Sequence, residues 1–213
     1  MAKQTTSAGA PRRRRSDADR SVQAILEAAL AALASDPDAS MAEIARRAGV
    51  VRATIYAHFP TRESLLDAVM EHATAQVGRA IRAAEPERGE PKEALERVLL
   101  ATWQQLSQFH SVLGINISRL STKELHRRHL PLTTQFVPLL ERGQAEGAFR
   151  RDVSAVWLIA VIRAIVHTAS TELQAGRISQ ADVERTMLTT ALAAVTSDGE
   201  SPVSDALKAS DTV

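Results

Sequence analysis

Residues 42–69 read AEIARRAGVVRATIYAHFPTRESLLDAV. Gly49 and Pro60 bracket a short run that holds the chain's single tyrosine, Tyr56. Just upstream, Ser40 and Glu43 have the S-x-x-E spacing of a capping box, which opens a helix. Met41, Ile44, Ala45 and Ala48 share one face of that helix. Gly49 falls where a helix end needs a left-handed residue. The next helix is the bracketed run. Val51, Ile55 and Phe59, spaced by four, form its expected inner edge. Arg52, Ala53, Tyr56 and Ala57 then point outward, with Thr54 on the flank. Thr61 is the expected N-cap of a further helix with an apolar stripe of Leu65, Leu66, Val69 and Met70, running to about Ala84.

Outward from this stretch, the chain reads as helices throughout. Val22, Ile25, Leu26, Ala29, Leu30 and Leu33 form one stripe on a helix beginning at Asp19. SDPDAS (35–40) breaks it. AEPERGEP (84–91) reads as the clearest linker. Beyond it, helices are expected near 92–112, 115–126, 131–147, 153–175 and 180–197. Asp152 is the expected cap of the fourth of these and Gly176 its end; Ser179 with Asp182 opens the fifth. The division expected is a disordered basic arm at 1–18, a helix-turn-helix domain at 19–66, a second helical domain at 67–197 and a disordered tail at 198–213.

Composition agrees. The chain has 213 residues, 45% apolar but only 3% aromatic, and no cysteine. Such a composition favours an all-α protein, and the missing cysteines exclude disulfides, thiol nucleophiles and cysteine-bound zinc. MAKQTTSAGAPRRRR has no apolar core like that of a secretory signal, and the apolar run Ala155–Ile162 stops at Arg163, too short for a bilayer. A cytoplasmic location is therefore expected. Residues 1–66 carry ten Lys/Arg against seven Asp/Glu, and residues 67–213 carry sixteen against eighteen. That asymmetry, owed mostly to Arg12–Arg15, points to an anionic partner at one end.

Helix, glycine turn, then a short helix with small and polar outward residues is a helix-turn-helix. The arrangement suits DNA. Ala53 and Ala57 allow close approach to base edges, and Arg52 can make a bidentate contact to guanine. Thr54, Tyr56 and His58 can donate to phosphates, which set register without reading sequence. Ser40 and Arg62 are further candidate phosphate contacts.

On these residues the stretch 42–69, with the helix before it, resembles the DNA-binding segment of TetR-like transcriptional regulators. The glycine, the Thr-x-Tyr pair, His58-Phe59 and a following basic residue all occur in register. The resemblance supports Ser40, Arg52, Ala53, Thr54, Tyr56, His58 and Arg62 as DNA contacts. It departs from the family at Val51, where many members carry a Ser or Thr cap, and at Arg62, where a lysine is frequent.

The resemblance further implies that the C-terminal block binds a small ligand and dimerises, through helices near 153–175 and 180–197. Trp103, Phe109, His110, Asn116, Phe136 and Trp157 are candidate pocket residues, although aromatics at helical spacing also pack simply as core. AVWLIAVIRAIVHTAST is apolar nearly all round, so burial on several sides is expected. Arg163 and His167 lie four apart on it. A buried Arg163 needs a partner: a carboxylate across a dimer interface, a ligand anion, or Glu172. His126 and His129 have a metal-like spacing, but Arg127 and Arg128 disfavour a cation and no metal or other cofactor is expected.

The leading reading is a ligand-responsive repressor that binds a palindromic operator as a homodimer and leaves it when an inducer binds. An enzyme would need a phosphate loop, paired carboxylates or a nucleophile–base pair, and the sequence shows none. The alternative is a helical adaptor that binds only protein; the outward face of Arg52, Ala53 and Tyr56 argues against it.

Overall fold

The computed structural model describes residues 10–117 and 122–196, with side chains except those of 10–18, 107–123, 125, 126, 128 and 129. Its described residues form eight helices: α1 (Ala10–Ser35), α2 (Met41–Arg47), α3 (Arg52–His58), α4 (Arg62–Ala83), α5 (Pro91–Ile117), α6 (Thr122–Glu146), α7 (Ala155–Gln174) and α8 (Gln180–Val195). The only other regular pairing among them is an isolated bridge between Phe149 and Thr196. The all-α expectation holds.

Two compact units divide the chain. One comprises Met1–Gln76 with Gln108–Arg128, the other Val77–Ser107 with His129–Val213. In the first, Ile25, Leu26, Ala29, Leu30 and Leu33 of α1 meet Met41, Ile44 and Ala45 of α2, Ile55 of α3 and Leu65, Leu66, Val69 and Met70 of α4. These are the stripes legible in the sequence. In the second, Val98, Leu99 and Trp103 of α5 pack with Phe136, Leu139 and Leu140 of α6, Leu158 and Ile162 of α7 and Val183 and Met187 of α8.

Several boundaries differ from the sequence reading. Helix α1 starts at Ala10, so the backbone of Arg12–Arg15 is helical rather than part of an irregular arm. Helix α5 runs through the break expected after 112. Helix α6 joins much of what was read as two helices, passing through Pro131 and Pro138. A proline inside a helix costs about 3 kcal/mol. Phe136, Leu139 and Leu140 are buried on the same helix, and each is worth about 1.5–3 kcal/mol. Together they offset a cost of the same order from the two prolines.

The segment expected as a linker, 84–91, lies wholly inside the second unit. It is clamped by two arginines. Arg97 donates to the carbonyls of Ala84, Glu85 and Arg88, the last at 2.7 Å. Arg142 donates to those of Pro86, Glu87 and Gly89 at 2.9–3.1 Å. Charge-assisted bonds of this kind rigidify a loop whose own backbone has few partners.

Helix α7 is capped by Ser154, whose hydroxyl accepts from the Trp157 N–H at 3.2 Å. Asp152, the expected cap, is instead paired with Arg150 at 2.5 Å. Gly176 ends α7 and Ser179 caps α8, as read from the sequence. Ala155, Leu158, Ile159, Ile162 and Val166 bury one side of α7. Its other side is exposed in the single chain: Val156 keeps 64% of its surface and Trp157 60%, so the chain's own core accounts for one of the several buried sides expected. By length and composition alone α7 could cross a membrane, although Arg163 and Glu172 interrupt it.

Candidate nucleic-acid interface

Helices α2 and α3 are seven residues each, too short to persist alone, so their ends and buried faces hold them. The Ser40 hydroxyl accepts from the Glu43 N–H at 3.2 Å. The carboxylate of Glu43 turns to Arg46 (2.6 and 3.0 Å) and Arg47 (2.8 Å). Those hydrogen bonds, Arg46 first, hold the Glu43 carboxyl down at about 2. Any stabilisation it carries is complete above the ordinary value near 4.5 and fades as pH falls toward 2. At the other end, Gly49 has φ +67°. Its N–H reaches the Arg46 carbonyl, and the Val50 N–H that of Ala45. This pair of bonds is a Schellman motif, which only a residue tolerant of the left-handed region closes without strain.

That turn aims α3. Ile55 and Phe59 are buried in the first unit, while Arg52, Ala53, Tyr56 and Ala57 are exposed and Thr54 and His58 half-buried. The outward face read from the sequence is therefore present. Val51 is the exception. It was expected on the inner edge, yet it is 70% exposed and stands at the N-cap with no side-chain cap bond. The cap position is extended (ψ 152°), which carries the side chain off the helix and away from the core. Serine there would satisfy an orphan N–H. Val51→Ser is expected to raise the stability of the first unit by about 1 kcal/mol, measured as a higher urea midpoint; an unchanged midpoint would show the α3 start is already satisfied by solvent.

Two details were not anticipated. The Arg52 guanidinium lies over the Tyr56 ring, 5.6 Å from its centroid. The signal was available in the i, i+4 spacing, which puts two residues on one helix face. Such a cation–π contact is worth about 0.5–1 kcal/mol at an exposed site and orients the guanidinium. His58 meets Phe59 with ring centroids 6.4 Å apart, so its ring is held at the edge of the face. The second detail is Arg62. It projects from the first residue of α4 to the carbonyls of Ala39 and Pro37. Thr61 caps α4 as expected, accepting from the Ser64 N–H at 3.1 Å while the Ser64 hydroxyl accepts from the Thr61 N–H at 3.2 Å.

The candidate ligand residues do not come together as a set. Trp103 and Phe136 are buried in the second core. Trp157, Arg163 and His167 lie on the exposed side of α7. Arg163 is thus not a buried cation, and Glu172, one of its expected partners, is paired with Arg177 at 2.5 Å. The side chains of Phe109, His110 and Asn116, and of His126 and His129, lie outside the described residues.

Comparison with known proteins bears on both units. Residues 25–69 match the family of bacterial regulatory proteins named for tetR, and residues 91–198 match the tetracyclin repressor-like C-terminal domain. The HTH-type transcriptional repressor LfrR of Mycolicibacterium smegmatis is 40% identical over 81 residues, 38% of this chain and 43% of LfrR. The alignment thus spans less than half of that relative's sequence. The HTH-type transcriptional regulator NfxB of Pseudomonas aeruginosa is 26% identical over 165 residues, 76% of this chain and 88% of NfxB. The crystal structure of LfrR from Mycobacterium smegmatis in complex with proflavine superposes with a TM-score of 0.67 at 25% identity, over 84% of this chain and 98% of that one. A TetR-family regulator from Rhodococcus sp. shares the fold with a TM-score of 0.70 at 21% identity, over 84% of this chain and all of that one. An exposed face on α3, a glycine-closed turn behind it and family matches to both halves converge: the chain belongs to the TetR family and is a DNA-binding transcriptional regulator.

Proposed function

We propose that this protein is a repressor that binds a palindromic operator as a homodimer in the cytoplasm and leaves it when a small molecule occupies the second unit. The observation that carries the DNA-reading part is the exposed α3 face of Arg52, Ala53, Tyr56 and Ala57, held over a buried Ile55. Arg52 reads a base; Ser40, Thr54, Tyr56 and His58 set register on phosphates, with Ala53 giving clearance. The exposed side of α7, with Val156 and Trp157, supports dimerisation through α7 and α8, since apolar side chains of that size gain by being covered. Arg163 and His167 lie on that side and belong with the dimer surface rather than with Trp103 and Phe136.

Ligand response is supported by LfrR, which was crystallised with proflavine, and by α4. Leu65, Leu66, Val69 and Met70 of this helix enter the first core, and Val77 and Ile81 the second. A ligand that displaces α4 changes the separation of two recognition helices, which must fit major grooves about 34–36 Å apart. Selection from a random DNA pool is expected to return an inverted repeat with half-sites at that spacing or a multiple of it. A compound that releases the selected operator must itself bind more weakly, by the same factor, when operator is present, because coupling is reciprocal. A selected sequence with no inverted symmetry would reject the homodimer on DNA. Equal ligand affinities with and without operator would reject the allosteric release.

A further inference from the structure

We propose that Arg62 is a positioning residue that braces the α1–α2 turn behind Ser40, and is not itself a phosphate contact. Arg62 opens α4. A cation there opposes the helix dipole, whose N-terminal end is positive, so its placement needs a separate reason. Its Nη1 donates to the Ala39 carbonyl and its Nη2 to the Pro37 carbonyl at 2.8 Å, partners 23 and 25 residues upstream. Both terminal nitrogens of the fork are thereby turned into the protein.

The turn that receives them is tightly specified. The Asp36 N–H donates to the Ala32 carbonyl and the Ala39 N–H to that of Asp36. The Asp36 carboxylate accepts from the Asp38 N–H at 3.0 Å. Ala39 is buried. Directly after it stands Ser40, exposed and extended, the residue whose hydroxyl caps α2. On the other side, the reciprocal bonds of Thr61 and Ser64 fix the start of α4 from which Arg62 projects. Arg62 therefore spans two anchored ends, and its two bonds hold the approach to Ser40 at a set distance from α4. A lysine retains the charge but has one nitrogen, and lacks the planar fork that serves two carbonyls at once.

The inference rests on the DNA-binding reading of Ser40. Its test compares full-length wild type, Arg62→Lys and Arg62→Gln on the selected operator across a salt series, with amide hydrogen exchange on the unbound proteins. Loss of the fork is expected to weaken operator binding about tenfold in both variants, the scale of a charged hydrogen bond. The Arg62→Lys salt slope should match wild type, and exchange should quicken at residues 38–43 alone. Wild-type affinity in Arg62→Lys, with a slope reduced by about 0.9 in Arg62→Gln, would make Arg62 a phosphate contact and overturn the proposal. So would faster exchange spread evenly over α1–α3, which would give Arg62 a general role in stability. Failure of wild type to bind DNA with any salt dependence would strike the DNA reading instead, while the exchange pattern would still decide the brace.

Discussion

Gly143→Ala is expected to destabilise the second unit by about 3 kcal/mol, the upper end for overpacking a closed core. A Cβ at this position would stand 2.0 Å from Cδ2 and 2.3 Å from Cε2 of Phe149. The ring has nowhere to go. Phe149 is 1% exposed, its N–H donates to the Gly143 carbonyl at 3.0 Å, and the next N–H, of Arg150, reaches Val195 at 2.9 Å. Gln144 secures the same turn by donating to the Arg150 and Val153 carbonyls, each at 2.8 Å. Helix propensity alone would favour alanine by about 1 kcal/mol, so the sign of the change is informative. Urea unfolding followed by fluorescence of Trp103, buried in that core, would report it against the exposed Trp157 as background. Adding Phe149→Leu to Gly143→Ala should return part of the loss by opening room for the methyl. A midpoint equal to or above wild type would show that Phe149 is not seated on Gly143.

Arg52→Ala is expected to cost about 1–3 kcal/mol of operator affinity, concentrated at one base position in each half-site. Tyr56→Phe should instead weaken all sequences about equally, the result that the proposed phosphate role of its hydroxyl requires. Retention of the ring matters to this comparison. Tyr56 is 38% exposed and its ring lies beneath the Arg52 guanidinium, so phenylalanine preserves the surface on which Arg52 rests. Binding measured over a panel of operators, each changed at one base pair, separates the two effects. A uniform loss in both variants would remove Arg52 from base reading.

The two predictions differ in how much of their basis could be read from the residues in order. The α3 face was legible because a helix repeats every 3.6 residues: spacing alone sorted Ile55 and Phe59 inward and Arg52, Ala53 and Tyr56 outward. Caps were legible for the same reason. Ser40, Thr61, Gly49, Gly176 and Ser179 act on backbone groups within a few positions, so chain neighbours decide them. Gly143 carries no such signal. Its need for a bare backbone comes from Phe149, brought over it by the turn that follows α6 and held by a pairing with the end of α8.

Where local chemistry offered several partners, only the tertiary structure chose. Asp152 was the expected cap of α7, but it pairs with Arg150 and Ser154 caps the helix instead. Glu172 stands nine positions from Arg163 on α7, too far along the helix to meet it, and the turn after α7 brings Arg177 to it instead. Helix α6 runs on through the gap expected between 126 and 131, and its Phe136, Leu139 and Leu140 are buried in the second core. Arg62 shows the division most plainly. Its charge and its place at the start of a helix stand in the sequence and point to phosphate. Its hydrogen bonds run to backbone carbonyls of the α1–α2 turn, and every residue has a carbonyl, so no residue type marks these two as the partners. The amino-acid order determined the helices, most of their caps and the outward face of α3, because those depend on neighbours a turn or less away. Packing decided which arginine faces outward and which braces the frame, because that depends on distances between segments that are remote in the chain.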